Sequence, residues 1–149
     1  MTIRLLSIFA TAILSLVFLS PTHAESEEAT GKPIGLPSSI PGVLAIKAAE
    51  VVKLADYDEE MVIFDVRSAT SRKKGKISWS ESFQKKQMTA EHLADTLASK
   101  DTVVIFYGNK NSKFAAKGAK FAVSNGYTNV YLFTGGWSEW TKSGLRLDM

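Results

Sequence analysis

The stretch that decides the fold is residues 102–107, TVVIFY, a run of β-branched and aromatic residues. Such a run predicts a strand that is buried on both faces. Residues 61–64, MVIF, form a second continuous apolar run that leads into Asp65 and Arg67. Two shorter runs predict further strands: residues 43–46 (VLAI) and residues 129–133 (NVYLF).

Amphipathic segments lie between these strands. Helices are predicted over residues 48–55 and 90–99, and Thr89 is placed to cap the second. One face of a further helix is formed by four residues at i, i+4, i+7 and i+8: Phe114, Gly118, Phe121 and Ala122. Strands that alternate with helices of this length indicate βαβ units and a mainly parallel sheet, so the predicted fold class is α/β.

The N-terminus has the pattern of an export signal. Arg4 precedes an apolar segment, residues 5–19, and Thr22 and Ala24 suit a signal peptidase site. The apolar segment is shorter than the about 20 residues that a membrane-spanning helix needs. We therefore predict a signal peptide over residues 1–24, cleaved after Ala24; the alternative is an uncleaved N-terminal anchor. The predicted location is periplasmic or secreted, with no membrane span after cleavage.

Residues 25–41 form an acidic and then proline-rich segment, ESEEATGKPIGLPSSIP. Such a segment buries too little apolar surface to offset the entropy of ordering, so a flexible leader is predicted. The folded domain is expected to cover residues 42–149.

The composition excludes several chemistries. The chain of 149 residues has no cysteine, which excludes disulfides, thiolate nucleophiles and Cys-type zinc sites. Its two histidines, His23 and His92, leave little from which to build a metal site or a Ser-His-Asp triad. The formal charge of +3 is spread over local lysine groups, which argues against nucleic acid as a partner. No metal and no cofactor are predicted.

Four local patterns, taken in order, resemble those of the rhodanese homology domain. Residues 64–67, FDVR, are similar to the family's Asp-x-Arg strand end, and residues 75–77, GKI, stand where the family has Gly-His-Ile. Tyr107 leads into the position of the active-site loop, and residues 126–140, GYTNVYLFTGGWSEW, match the C-terminal signature. The resemblance runs over residues 43–147. It implies a rhodanese-like fold with a central, mainly parallel five-stranded sheet flanked by helices.

In rhodaneses a cysteine directly after this strand carries the sulfur, in a six-residue loop that an arginine closes. The loop amides and the following helix N-terminus form an anion cradle. In this chain Gly108 stands at the cysteine position and Lys113 at the arginine position. Persulfide transfer is therefore excluded for this chain acting alone, and no catalytic residue is predicted. The loop remains a candidate ligand-binding site, formed by Gly108, Asn109, Lys110, Asn111, Ser112 and Lys113.

For the other notable residues, we expect either a structural role or a position at the surface. Asp65 and Arg67 are expected to order the loop by ion pairing. Ser112 lacks a base that would activate its hydroxyl, so it is expected to cap the next helix. His92 is expected on a helix surface, and Trp79 is a candidate for an exposed contact residue.

The leading hypothesis is an exported, non-catalytic rhodanese-like domain. Its former active-site loop, or the basic residues 72–76, would bind a small anion such as sulfate, thiosulfate or phosphate, or an acidic protein partner. One alternative is a divergent enzyme that acts on an oxyanion or a sulfur-containing substrate. Another is an accessory subunit in sulfur or redox metabolism, whose partner supplies the reactive group.

Overall fold

The two strongest predicted strands lie side by side in the middle of a parallel sheet. The structure, a computed structural model, describes residues 36–148. The predicted signal peptide and residues 25–35 of the predicted leader lie outside the described residues.

The chain alternates strands and helices, as predicted. The strands are β1 (Leu36–Pro37), β2 (Val43–Ile46), β3 (Val62–Asp65), β4 (Lys76–Ile77), β5 (Glu81–Ser82), β6 (Val104–Tyr107), β7 (Val130–Phe133) and β8 (Leu147–Asp148). The helices are α1 (Ala48–Tyr57), α2 (Ala69–Arg72), α3 (Ala90–Thr96), α4 (Lys113–Ser124) and α5 (Gly136–Lys142). No helix within residues 36–148 is both long and apolar enough to cross a bilayer.

The central sheet has the strand order β1-β2-β7-β6-β3-β5. The last five strands of this order are parallel to one another, which confirms the expected α/β fold with a mainly parallel five-stranded sheet. β1 pairs antiparallel with β2 and adds a short sixth strand at the edge, in the range assigned to the leader. β4 and β8 form a separate antiparallel pair, which attaches the C-terminal residues to the connection before β5.

Two hydrophobic clusters cover the two faces of the sheet. Alternate residues of β6 point to opposite sides: Val104 and Phe106 join one cluster, and Ile105 and Tyr107 join the other. The first cluster is completed by α3 and α4, and the second by α1 and α5. All four residues of β6 are fully buried, which confirms the prediction of a strand covered on both faces.

The boundaries of the predicted elements are correct to within a few residues. Thr89 caps α3 as predicted, because its side chain accepts a hydrogen bond from the backbone N–H of His92. This helix ends at Thr96 rather than at residue 99, and β6 begins at Val104 rather than at residue 102. The strands β4 and β5 and the helix α2 escaped prediction because two to four residues are too few to show a periodicity.

The expectation that His92 is a surface residue is wrong. Its ring packs against Phe83 and Phe64, with ring centroids 5.7 Å and 6.2 Å away. The Nε2 atom is buried and has no hydrogen-bond partner among the described residues. The half-buried side chain therefore takes part in the packing between α3 and the aromatic residues of the core. Histidine is a polar residue, so its sequence position did not indicate this role.

The helix α4 packs closely on the sheet at Gly118. A Cβ at this position would lie 2.8 Å from Cδ1 of Phe106, closer than real carbon contacts. Alanine is favoured over glycine inside a helix by about 0.5–1 kcal/mol, whereas overpacking a core costs about 1–3 kcal/mol. We therefore expect Gly118→Ala to lower the free energy of unfolding in urea by about 0.5–2 kcal/mol. The control Lys117→Ala, at the exposed neighbouring position, should stay within about 0.5 kcal/mol of wild type. A Gly118→Ala protein as stable as wild type would contradict the close packing.

Candidate functional site

The carboxyl ends of the parallel strands meet at one edge of the sheet. Ile46, Phe133, Tyr107 and Asp65 end four neighbouring strands and lie in one row of the pairing register. The segments that follow these strands, including the loop of residues 108–113, therefore open at the same edge. The topology thus places the predicted loop where ligands bind in open α/β sheets.

A buried ion pair stands directly behind this edge. The side chains of Arg67 and Asp65 are 3% and 0% exposed, and Arg67 Nη2 lies 2.7 Å from Asp65 Oδ2. The same carboxylate also accepts hydrogen bonds from the backbone N–H of Arg67 and from the hydroxyl of Tyr107. Arg67 Nη2 donates a second bond of 2.8 Å to the carbonyl of Gly75, and the guanidinium lies 4.1 Å from the ring centroid of Trp137. Asp65 and Arg67 thus hold the segment after β3 and the last helix together.

The burial of these groups changes their pKa values. Burial disfavours the charged form of Arg67, but the hydrogen bond and the charge of Asp65 outweigh this effect, so its pKa is raised. Burial, together with the charge and hydrogen bond of Asp65, raises the pKa of Tyr107 to about 12. Arg67 and Tyr107 therefore both keep their protons at neutral pH.

The position of the family's cysteine is closed in this chain. A Cβ on Gly108 would lie 2.5 Å from Oγ and 2.7 Å from Cβ of Ser112, and 3.1 Å from Cγ2 of Val66. Ser112 is held in this place because its Oγ accepts a hydrogen bond of 3.2 Å from the N–H of Ala115. Ser112 caps α4, as predicted. The loop has therefore folded into the space that a side chain at residue 108 would need.

Part of the predicted amide cradle is occupied by the protein itself. The N–H of Asn111 donates to the carbonyl of Thr134 at 2.8 Å, and the N–H of Ser112 donates to the carbonyl of Asn109 at 3.1 Å. Gly136 allows this close approach: a Cβ there would lie 2.4 Å from the carbonyl oxygen of Gly108, and its φ of +54° suits glycine. The loop and the start of α5 are thus locked together, and these two amides are not available to a ligand.

Beside the closed loop lies an open depression of about 300 Å³. Of the six predicted ligand-binding residues, Lys110 and Asn111 line it, whereas Gly108, Asn109, Ser112 and Lys113 do not. The remaining lining residues are Lys47, Thr134, Gly135, Ser138, Glu139 and Lys142. Three lysines and one glutamate give this depression a net charge of +2. Side chains of this kind bind anions by charge-assisted hydrogen bonds.

Sequence reasoning missed Lys47, Glu139 and Lys142. Oε1 of Glu139 accepts the N–H of Ala48 at 2.8 Å, which joins α5 to the start of α1 and stands next to Lys47. A signal for Lys47 was present, since it directly follows β2 and the ends of parallel strands share an edge. No local pattern marks Lys142. It lines the depression only because α5, which it ends, runs in that direction.

Two of the four basic residues in the segment 72–76 form polar contacts within the protein. Nη2 of Arg72 donates to the carbonyl of Ser80 at 3.1 Å, and Lys76 pairs with Asp148 at 3.4 Å. Lys73 and Lys74 remain exposed. The segment thus has two cations engaged with the protein and two exposed, and Arg72, Lys73 and Lys76 line an open depression of about 280 Å³. Within residues 36–148, no cluster of His, Asp and Glu side chains has an arrangement that could hold a metal.

The raised pKa of Tyr107 predicts a loss of stability at high pH. Below pH 10 the hydroxyl is protonated in both states, but between pH 10 and 12 the unfolded chain ionises first. The free energy of unfolding should fall by about 1.4 kcal/mol per pH unit in this range from this group. We expect Tyr107→Phe to be less stable at pH 7, because Asp65 loses a donor, yet to lose less stability between pH 10 and 12. The exposed control Tyr57→Phe should follow wild type; parallel pH curves for wild type and Tyr107→Phe would contradict the coupling.

Comparison with known proteins agrees with this geometry. The sequence profile of the family described as "Rhodanese-like domain" matches residues 47–143, more than half of the chain. The sulfur carrier protein TtuD of Thermus thermophilus is 29% identical over 101 residues, which are 62% of this chain and 35% of that protein. The chain thus spans about a third of the length of this curated relative.

Known structures share the fold at low identity. The polysulfide-sulfur transferase homodimer of Wolinella succinogenes matches with a TM-score of 0.60 and 19% identity, over 72% of this chain and 79% of that one. The human single-domain sulfurtransferase TSTD1 matches with a TM-score of 0.55 and 18% identity, over 66% of this chain and 95% of that one. The matched profile, together with this common fold, shows that the chain belongs to the rhodanese-like domain family.

Proposed function

We propose that this chain is an exported, non-catalytic rhodanese-like domain that binds a small anion, or an acidic group of a protein partner, in the depression beside the former active-site loop. The observation that carries the proposal is the convergence of Lys47, Lys110 and Lys142 on one open depression. The periplasmic or secreted location rests on the pattern of residues 1–24.

The residues that line the depression include the hydroxyls of Thr134 and Ser138 but no histidine that could activate them. Ser112, the one hydroxyl inside the loop, has its oxygen engaged as the cap of α4. The space of the missing cysteine is filled, so a thiol from a partner would not fit at residue 108 without a rearrangement of the loop. These facts favour binding over the alternative of a divergent enzyme.

The charge of the site favours a ligand with distributed negative charge. Glu139 neutralises part of the lysine charge and is itself held by the N–H of Ala48. The remaining positive charge and the open shape suit a small oxyanion or an acidic side chain. Relatives named as a sulfur carrier and a polysulfide-sulfur transferase suggest sulfur-containing anions as the first to test, and thiosulfate and sulfate are available probes.

Removing one lysine should weaken this binding. We expect titration calorimetry with sodium thiosulfate and sodium sulfate to give a roughly 5- to 10-fold weaker affinity for Lys110→Ala than for wild type, which corresponds to about 1–1.4 kcal/mol. Binding should also weaken as the ionic strength rises, because the site is open to solvent. Lys120→Ala removes the same charge from an exposed position of α4 and should bind like wild type.

Two results would contradict the proposal. Equal affinities of wild type and Lys110→Ala would show that the depression is not the anion site. Thiosulfate:cyanide sulfurtransferase turnover by the purified protein, above that of a Lys113→Ala control, would show that the domain is catalytic after all.

The closed cysteine position gives a second test. Gly108→Cys should lower the free energy of unfolding by about 1–3 kcal/mol, because the new side chain overlaps with Ser112. Ser112→Gly alone should cost only roughly a few tenths of a kcal/mol through the lost helix cap, since glycine is itself tolerated at this position. In the double variant the overlap is relieved, so the cost of Gly108→Cys should shrink there. If Gly108→Cys costs the same in both backgrounds by urea denaturation, the two side-chain positions do not compete for the same space.

A further inference from the structure

A second concave surface lies towards the other end of the sheet. It consists of two adjoining depressions of about 180 Å³ and 340 Å³, which we call the Trp79 groove. The residues common to both depressions are Ala55, Asp56, Met61, Ile63 and Trp79. Met61 directly precedes β3, whereas Lys110 follows the carboxyl end of β6. The groove and the anion site therefore face opposite ends of the parallel strands and share no lining residue.

The inner part of the groove is apolar. Its apolar lining comes from α1, β3 with the preceding residue, α5 and the C-terminal segment, namely Val51, Val52, Ala55, Met61, Ile63, Trp140 and Leu145. Asp56 and Arg146 also line it and add one charge of each sign. An apolar recess of this kind is stabilised by an apolar side chain that enters it and displaces water.

Trp79 lies at the rim of this recess and has an unfavourable backbone conformation. Its side chain is 64% exposed, and its φ of +65° is a left-handed conformation that a bulky residue rarely adopts. Neighbouring contacts impose the conformation: the N–H of Ser80 donates to the carbonyl of Ile77, and Ser78 donates to Asp148 at 2.9 Å. Glycine would be the natural residue for such a turn. The guanidinium of Arg146 lies 5.9 Å from the centroid of the indole ring. With 64% of the side chain still exposed, most of the indole is left for contact with a partner.

The outer part of the groove is acidic. Asp56, Asp58 and Glu59 line it, in a chain whose formal charge is +3. None of these carboxylates takes part in the two ion pairs found within residues 36–148. Their negative charge is left for a partner, since complementary charges steer association and fix its orientation.

We propose that the Trp79 groove docks a segment of a partner protein that carries a bulky apolar side chain next to lysine or arginine residues. The apolar side chain fills the recess against Trp79 and Met61, and the basic residues face Asp58 and Glu59. The chain's own residues 25–28, ESEE, do not match this surface, because they would meet charges of the same sign. The docking surface is independent of the proposed anion site.

The test uses labelled synthetic peptides and the purified exported protein. The first peptide, GKKFLKKG, has both features of the proposed partner; GEEFLEEG reverses its charge, and GKKAAKKG lacks its apolar residues. Fluorescence anisotropy should show binding of GKKFLKKG and at least about 10-fold weaker binding of the other two. Trp79→Gly should weaken the binding of GKKFLKKG at least about 10-fold while the fold is retained, because glycine accepts the left-handed turn. Asp58→Asn combined with Glu59→Gln should weaken it and flatten its salt dependence.

Matched variants separate this proposal from the anion site. Lys110→Ala should leave the binding of GKKFLKKG unchanged, and Trp79→Gly should leave thiosulfate binding unchanged. Either proposal can therefore fail while the other stands.

Four outcomes would overturn the docking proposal. GEEFLEEG could bind as tightly as GKKFLKKG, or Trp79→Gly could bind GKKFLKKG like wild type. Sedimentation could show a dimer that Trp79→Gly abolishes, which would assign the groove to a second copy of the chain. Tight, Trp79-dependent binding of a peptide with the sequence of residues 25–35 would assign it to the chain's own leader.

Discussion

The ion pair between Asp65 and Arg67 is the constraint on which the edge of the sheet depends. Two buried charges are costly to desolvate, and they are tolerated here because each finds several partners: the carboxylate accepts from Arg67 and Tyr107, and the guanidinium reaches the carbonyl of Gly75. The pair thereby connects β3, β6 and the segment before β4. With its face against Trp137, the guanidinium also sets the position of α5.

The same ion pair fixes the elements on either side of the loop after β6, through Tyr107 and Trp137. With β6 and α5 held in place, Ser112 fills the space beside Gly108, and the loop amide of Asn111 donates to the carbonyl of Thr134. Part of the amide cradle is therefore occupied by the protein itself. The binding that we propose therefore uses the side chains of Lys47, Lys110 and Lys142 beside the loop rather than the loop amides.

The distribution of charge gives the domain two different ends. Lysines gather where the parallel strands end, and the carboxylates of Asp56, Asp58 and Glu59 gather near the start of β3. The two surfaces attract ligands of opposite charge, so an anion or acidic group at one end does not compete with a basic segment at the other. Under the two proposals, the domain holds an anion or acidic group at one end and a basic segment at the other.

The sequence by itself determined the order of the main strands and helices, because continuous apolar runs and helical spacing are local patterns. It also showed that these 149 residues contain no cysteine that could carry a persulfide. Only the tertiary structure decided that Ser112 closes the position of Gly108, that Lys142 lines the same depression as Lys110, and that the ring of His92 packs against Phe83. These contacts depend on how a loop is seated and on the direction in which a helix leaves the sheet. Both are set by packing between residues distant in sequence, which local spacing does not encode.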